Sequence, residues 1–281
     1  MTVINNEITW YCKYDEDILK HLQDILLAMF KDFDEICKNN DINYFIYFGT
    51  NIGAVRHGGF IPWDDEIDIG ILREDYERLI KILDKYDEKY YIYNWKHRFG
   101  VDDSCYTPKT LFCLKNTRLK FLLMDYGIYI DINVLDDIPD NKVKRLVFVK
   151  TLDLVYFVFN IARIVDSDVY ISRNKERIGH FIRFIFNHIN IPNFFAKIFT
   201  KLIKKYQGKC ENVCNINSFY HVPFSKKYFS KMIPIKFEDM VVNMPNGYDE
   251  ILRLIYGDYM EIPPENERLN HNWEIIDFGE Y

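Results

Sequence analysis

The stretch Glu66-Ile-Asp-Ile-Gly-Ile71 constrains this chain more than any other. Acids and isoleucines alternate, and a period of two marks a strand with one buried face. Ile67 and Ile69 then point into a core. Glu66 and Asp68 share the opposite face, with bases roughly 7 Å apart by strand rise. Asp64 and Asp65 come just before, so four carboxylates fall within five positions.

Glu66 and Asp68 can reach one hard cation between them. Oxygen ligands alone favour Mg²⁺ or Mn²⁺ over zinc. Two carboxylates make an incomplete cage, and magnesium commonly completes its shell with water and substrate phosphates. Asp131 interrupts the apolar run Ile128-Tyr-Ile-Asp-Ile-Asn-Val134. An acid in such a run is costly to bury without a compensating group. It is therefore the expected third carboxylate, holding metal and taking a hydroxyl proton. The bland alternative is a solvated strand edge, and it stays open for Asp64 and Asp65.

The residues just upstream suit a phosphate. Tyr44-Phe-Ile-Tyr-Phe48 predicts a buried strand, and Gly49 to Arg56 predicts a tight turn opening a short helix, with Thr50 as its cap. Gly49 permits close backbone approach, and amides at a helix start hold phosphate. Arg56 is then a bidentate phosphate clamp. Its alternative is a salt bridge to a nearby acid.

The rest of the chain suggests a small mixed sheet with helices. Ile18, Leu22, Ile25, Leu26, Met29, Phe33 and Ile36 recur at helical spacing between residues 15 and 39. A helix is expected over 73–86 and strands over 111–114 and 126–134. Residues 143–205 read as helical and apolar, 237–244 as strand, and 248–256 as helix. The fold class is α+β, a mixed β-sheet flanked by helices with an added helical subdomain. Its expected parts are a core over 1–140, a helical subdomain over 141–235, and a C-terminal segment over 236–281 that packs back near the site.

With 48% hydrophobic residues the chain has material for a sizeable core. A net charge of −6 argues against a general nucleic-acid binder. Yet residues 172–209 hold nine Lys/Arg against one acid, a cationic face able to attract an anionic partner. With Phe181, Ile182, Phe184, Ile185 and Phe186 beside its cations, this run also suits peripheral contact with a membrane surface. The plain reading is a solvated helix face. The Met1 end lacks the pattern of a secretory signal, so the six cysteines are expected reduced and the chain cytoplasmic, at the inner face of the membrane if the basic run docks there. Cys210 and Cys214 lack the partners of a zinc site. Leu146 to Val165 includes Lys150, Asp153 and Arg163. Each would cost about 2.5–3.5 kcal/mol at a bilayer centre, so a buried helix is expected instead.

The whole run from Tyr44 to Ile71 resembles the central motif of the LicD family. Arg73-Glu-Asp-Tyr76, Lys115, Ile130-Asp-Ile-Asn-Val-Leu-Asp136, Tyr256-Gly-Asp-Tyr-Met-Glu-Ile-Pro-Pro-Glu265 and His271 resemble its later motifs. The resemblance implies a nucleotidyltransferase-like catalytic core and transfer of phosphocholine from CDP-choline to a hydroxyl of a cell-surface glycan, or to its lipid-linked precursor. It casts Glu66, Asp68 and Asp131 as the metal acids, Gly49, Thr50 and Arg56 as the phosphate-contacting turn, and Lys115 as a donor-phosphate ligand. The chain departs from the pattern at Glu66, where the family more often has Asp, and at Asn51, where an apolar residue is usual.

A choline group needs aromatic faces, each contact worth about 0.5–2 kcal/mol. Trp63, beside the acids, is the first candidate, followed by Tyr47, Tyr126, Tyr129, Tyr259 and Trp273. Transfer of glycerol phosphate, ribitol phosphate or a sugar phosphate is the alternative within the same chemistry. A non-catalytic nucleotide- or glycan-binding protein is the alternative outside it.

Overall fold

A computed structural model describes residues 11–121, 124–166, 190–216 and 221–281. The basic and aromatic stretch over 172–189 lies outside the described residues, so the membrane reading of that stretch meets no structure here.

The described chain opens with β1 (Tyr11–Cys12) and the long helix α1 (Glu16–Asn39), capped by the Asp15 side chain accepting from the Asp17 amide. β2 (Phe45–Ile46), α2 (Phe48–His57), β3 (Ile67–Leu72) and α3 (Arg73–Leu83) follow. Then come β4 (Tyr90–Tyr93), α4 (Trp95–Phe99), β5 (Lys109–Leu114), β6 (Arg118–Phe121), β7 (Met124–Tyr126) and β8 (Tyr129–Ile138). Two helices, α5 (Lys142–Asp166) and α6 (Ile191–Tyr206), precede β9 (Asn212–Asn215) and β10 (Phe224–Ser225). The chain closes with β11 (Met232–Phe237), β12 (Met240–Pro245), α7 (Tyr248–Tyr256), β13 (Asn270–His271) and β14 (Ile275–Asp277).

The central sheet is mixed, as the alternation of elements predicts. β8 is its axis. It runs parallel to β3 on one side and antiparallel to β5 and β9 on the other, with β2, β4 and β10 further out. Ile67, Ile69, Ile71, Ile130, Ile132 and Val134 are fully buried in one core with the apolar face of α1, including Leu26, Phe30 and Phe33. The opposite face of β3 and β8 carries the acids. Gly70 keeps β3 close to β2, since a Cβ there would lie 2.2 Å from the Phe45 ring.

Several local expectations change. The strand before Gly49 shrinks to two residues, because α2 begins at Phe48. Tyr47 is the N-cap residue and caps without a side-chain bond. The expected strand over 126–134 divides into β7 and β8 around Gly127, where a Cβ would strike the Leu114 carbonyl oxygen at 2.2 Å. The single strand expected over 237–244 is the second half of a hairpin, β11 with β12, turning at Glu238 and Asp239.

In the 141–235 region, α5 and α6 pack together over Phe148, Leu152, Val155, Phe159, Ala196 and Phe199. The same region also supplies β9 and β10 to the central sheet. The expectation that 146–165 is a buried helix is half met. α5 buries one stripe and exposes another of Val143, Leu146, Val147, Leu154 and Phe157. No described helix is long and apolar enough to cross a membrane. Nor does any described cysteine form a disulfide.

Candidate active site

Asp68 and Asp131 are Cα partners in the parallel pair of β3 and β8. Register partners project to one face, so the two carboxylates stand side by side across an interstrand gap of about 4.8 Å. Both are buried, at 6% and 4% exposure. Glu66 stands one alternation before Asp68 on the same face and accepts a hydrogen bond from the Tyr129 hydroxyl at 3.3 Å.

These acids are only partly compensated. Asn133 Nδ2 donates to Asp68 Oδ1 at 3.0 Å, and Asn215 Nδ2 donates to Asn133 Oδ1 at 2.9 Å, a relay from β9 through β8 to β3. Lys109 on β5 forms an ion pair with Asp131 Oδ2. Asp131 Oδ1 is buried with no hydrogen-bond partner. Burial pushes the Asp68 carboxyl well up, and the charges of Glu66 and Asp131 add to it while Lys109 opposes. Burial likewise raises Glu66, with His271 pulling back, and raises Asp131, with Lys109 pulling back. An orphaned buried oxygen beside crowded anions fits a cation or a proton donor as its missing partner. As the side chains stand, no three His, Cys, Asp or Glu groups among the described residues enclose a common ion position. Tyr129, Asn133 and Lys109 engage an oxygen of each acid, so an ion would have to displace some of these donors.

The two preceding acids are not a solvated edge. Asp65 is 7% exposed and grips His271 twice, through the ring Nδ1 at 2.9 Å and the backbone amide at 3.1 Å. That clasp holds β13 to the acidic loop, helped by Asn270 Nδ2 donating to the Trp63 carbonyl at 2.8 Å. His271 is pushed up to about 9, against its burial, by Asp65 and by the charges of Glu66 and Asp64. Asp64 Oδ2 sits at the start of α2, 2.9 Å from where a Gly49 Cβ would be. Any side chain at 49 would therefore press on that carboxylate.

Thr50 sits in the first turn of α2 rather than capping it. Its Oγ1 accepts from the Asp68 amide at 2.8 Å, which ties the helix start to the acid strand. Arg56 lies in the last turn of α2 and donates to the Tyr259 and Glu261 carbonyls at 2.8 and 3.1 Å. Its guanidinium is thus engaged by the C-terminal segment, neither free as a clamp nor paired with an acid. Lys115 follows the end of β5 and donates to the Asp87 carbonyl. It stands four residues, roughly 13 Å, along β5 from Leu111, the partner of Asp131. The cation the fold brings to the acids is Lys109, which the reading of the sequence did not single out. Its signal was there, two residues before Leu111 on the alternating run. Asn133 was likewise missed, although it sits two residues after Asp131.

The aromatic candidates separate. Trp63 lies under two guanidinium groups, Arg268 at 5.0 Å and Arg56 at 5.9 Å from the ring centre. Tyr47 is buried and Tyr259 bonds Asp249. Tyr126, Tyr129 and Trp273 instead form a mutual edge-to-face trio, with centroids 5.2, 5.9 and 6.3 Å apart. Through Tyr129 this trio abuts Glu66. Asn51, the departure from the family pattern, is fully buried with neither amide atom paired.

Residues 41–110 match the family model described as LicD/FKTN/FKRP, nucleotidyltransferase domain. This segment holds Gly49, Thr50, Arg56, Trp63, Glu66, Asp68 and Lys109, while Asp131 lies beyond it. The likeness to one LicD protein runs almost end to end. The lipopolysaccharide cholinephosphotransferase LicD of Haemophilus influenzae is 27% identical over 274 residues, covering 90% of this chain and 96% of that protein. An uncharacterized protein of Rickettsia prowazekii is 34% identical over 116 residues, 41% of each chain. An uncharacterized protein of Rickettsia typhi is 44% identical over 63 residues, 22% of this chain and 20% of that one.

Proposed function

We propose that the chain is a metal-dependent phosphotransferase that moves phosphocholine from CDP-choline to a hydroxyl of a cell-surface glycan or its lipid-linked precursor. The observation that carries the reading is the register pairing of Asp68 with Asp131, which leaves Asp131 Oδ1 buried and unpartnered. The near full-length likeness to a lipopolysaccharide cholinephosphotransferase supports the cargo and the acceptor class. The nucleotidyltransferase description of the matching family supports assigning the sheet to that fold.

Glu66, Asp68 and Asp131 would hold Mg²⁺ or Mn²⁺, which when bound neutralises phosphate charge during in-line displacement. The chain's own groups account for the remaining steps. The acceptor oxygen attacks the phosphorus that bears choline, the bond to the bridging oxygen breaks, and CMP leaves. Asp131 Oδ1, free of any protein donor, accepts the hydroxyl proton. Lys109 stabilises the charge on the other oxygen of the same carboxylate. Thr50 and Asn133 hold Asp68 in place from its backbone and side chain. Amides at the start of α2 would contact the donor phosphates only once the Asp64 carboxylate beside Gly49 makes way. The trio of Tyr126, Tyr129 and Trp273 packs into the core beside Glu66, and one of its ring faces would have to open to take a quaternary ammonium, whose charge Glu66 would balance.

The test is release of CMP from CDP-choline, with CDP-glycerol and CDP-ribitol in parallel, with and without Mg²⁺ or Mn²⁺. Metal-dependent turnover is expected with CDP-choline. Turnover confined to CDP-glycerol or CDP-ribitol would move the cargo to another phospho-alcohol. No binding of any of the three by calorimetry would overturn the reading.

A further inference from the structure

A hollow rimmed by lysines lies away from the acids. It is shallow and open, of about 300 Å³, and is lined by Ser104, Cys105, Lys197, Thr200, Lys201 and Lys204. The three lysines sit at i, i+4 and i+7 on α6, one face of one helix. Like charges at that spacing repel and destabilise a helix. Among the described residues no carboxylate lies within salt-bridge distance of any of the three. The nearby Asp102 carboxylate is already engaged by the Ser104 amide and hydroxyl, at 2.8 and 2.6 Å. Lys204 also stands 4.9 Å from the Tyr106 ring centre. Those Ser104 bonds, and after them the charges of Lys197 and Lys96, hold the Asp102 carboxyl below its ordinary value. One carboxylate does not balance three lysines among the described residues, and the excess of positive charge fits an external anion.

The recess is built on rigid parts. Thr200 Oγ1 accepts from the Tyr106 amide at 2.8 Å and donates to the Ala196 carbonyl at 2.7 Å, fastening α6 to the loop that leads into β5. The other side of that loop is held by Arg73, whose guanidinium lies 4.9 Å from the Tyr106 ring centre and donates to the Thr107 carbonyl at 2.9 Å. Five residues separate Ser104 from Lys109, the partner of Asp131. The chain between them spans at most about 17 Å, which is within the reach of a short saccharide.

We propose that Lys197, Lys201 and Lys204 form an anion subsite for a phosphate group on the acceptor, holding a phosphorylated glycan while its hydroxyl reaches Asp131. The role in transfer rests on the proposed function, but the binding site does not. The same chemistry would also take the phosphate of a lipid headgroup, so the two sources are tested separately.

The experiment compares the intact chain with K197Q/K201Q/K204Q, three exposed positions whose change leaves the core untouched. Inorganic phosphate and glucosamine 6-phosphate, with unphosphorylated glucosamine as control, are titrated by calorimetry at low salt. Phosphatidylglycerol vesicles are tested by flotation. Binding of the phosphosugar that weakens at least about tenfold in the triple variant, with no binding of glucosamine, is the expected result. Vesicle binding lost in the variant, without phosphosugar binding, supports the subsite with a lipid headgroup as its phosphate source. Absence of both, or equal binding by both proteins, overturns the proposal. None of these readouts uses CDP-choline, so they stand or fall apart from the transferase reading.

Discussion

Asp131 Oδ2 pairs with Lys109 while Asp131 Oδ1, on the same carboxylate, is buried with no partner. One carboxyl group thus carries both a settled side and an open one. The settled side holds the acid in position, and the other is a buried oxygen that lacks a cation or proton donor.

Asp68→Asn and Asp131→Asn are each expected to lower CMP release at least about a thousandfold, while the fold survives. Asn at 68 can still accept from Asn133, and removing one charge relieves the repulsion that, after burial, raises Asp68 through Glu66 and Asp131. Thermal unfolding of Asp68→Asn should therefore show a midpoint unchanged or higher, whereas Asp131→Asn also strips Lys109 of its ion-pair partner and should lower it. Near-normal turnover of Asp68→Asn with added Mg²⁺ or Mn²⁺ would remove that residue from the metal site.

Lys109→Met leaves the Asp131 carboxylate without its only cationic partner among the described residues. A buried group losing its partner costs about 1–3 kcal/mol, so the urea midpoint should fall in metal-free buffer. Mg²⁺ should then restore more stability to the variant than it adds to the parent chain. Equal metal response in both proteins would mean that Lys109 and the ion do not compete for the same acid.

Arg73 and Asp136 form a bidentate pair, with both bonds at 2.7 Å and exposures of 3% and 0%. Removing one partner strands a buried charge, so Arg73→Met should destabilise the protein by about 3–5 kcal/mol. Arg73→Lys retains charge but not the fork and should fall between. Chemical denaturation reads both. Because Arg73 also braces Tyr106, its loss should loosen the lysine recess as well, visible as weaker phosphosugar binding.

The clasp of His271 on Asp65 makes stability depend on pH. The His271 pKa is raised above its ordinary value, to about 9, chiefly by Asp65. A raised histidine stabilises fully below its unfolded value of about 6.5 and loses that contribution as pH rises through its folded value. In metal-free buffer the parent chain should lose stability between about pH 6.5 and 9, and His271→Asn should not show that decline. Urea midpoints across this range decide it, and parallel curves for the two proteins would sink the assignment.

Much of the core and of the acid face was legible in the order of residues. Alternation alone placed Ile67 and Ile69 inward with Glu66 and Asp68 outward, because strand geometry allows no other arrangement. The helical spacing from Ile18 to Ile36 likewise gave α1 its buried face. An acid inside the apolar run at Asp131 announced a compensated or functional group by its burial cost alone. The long motif around these residues carried the resemblance to the LicD family.

Tertiary structure alone decided which residues meet. Register between β3 and β8 is a non-local choice, and it set Asp131 opposite Asp68. The antiparallel register of β5 brought Lys109 to the acids and carried Lys115 away. Arg56 looked free in the sequence, yet carbonyls 203 and 205 residues later engage it. Whether Asp65 lay on a solvated edge stayed open in the sequence, and the return of His271 buried it. Local pattern is set by backbone periodicity, which neighbours in sequence fully express. Partner choice is set by packing between segments far apart in the chain, which no short window contains.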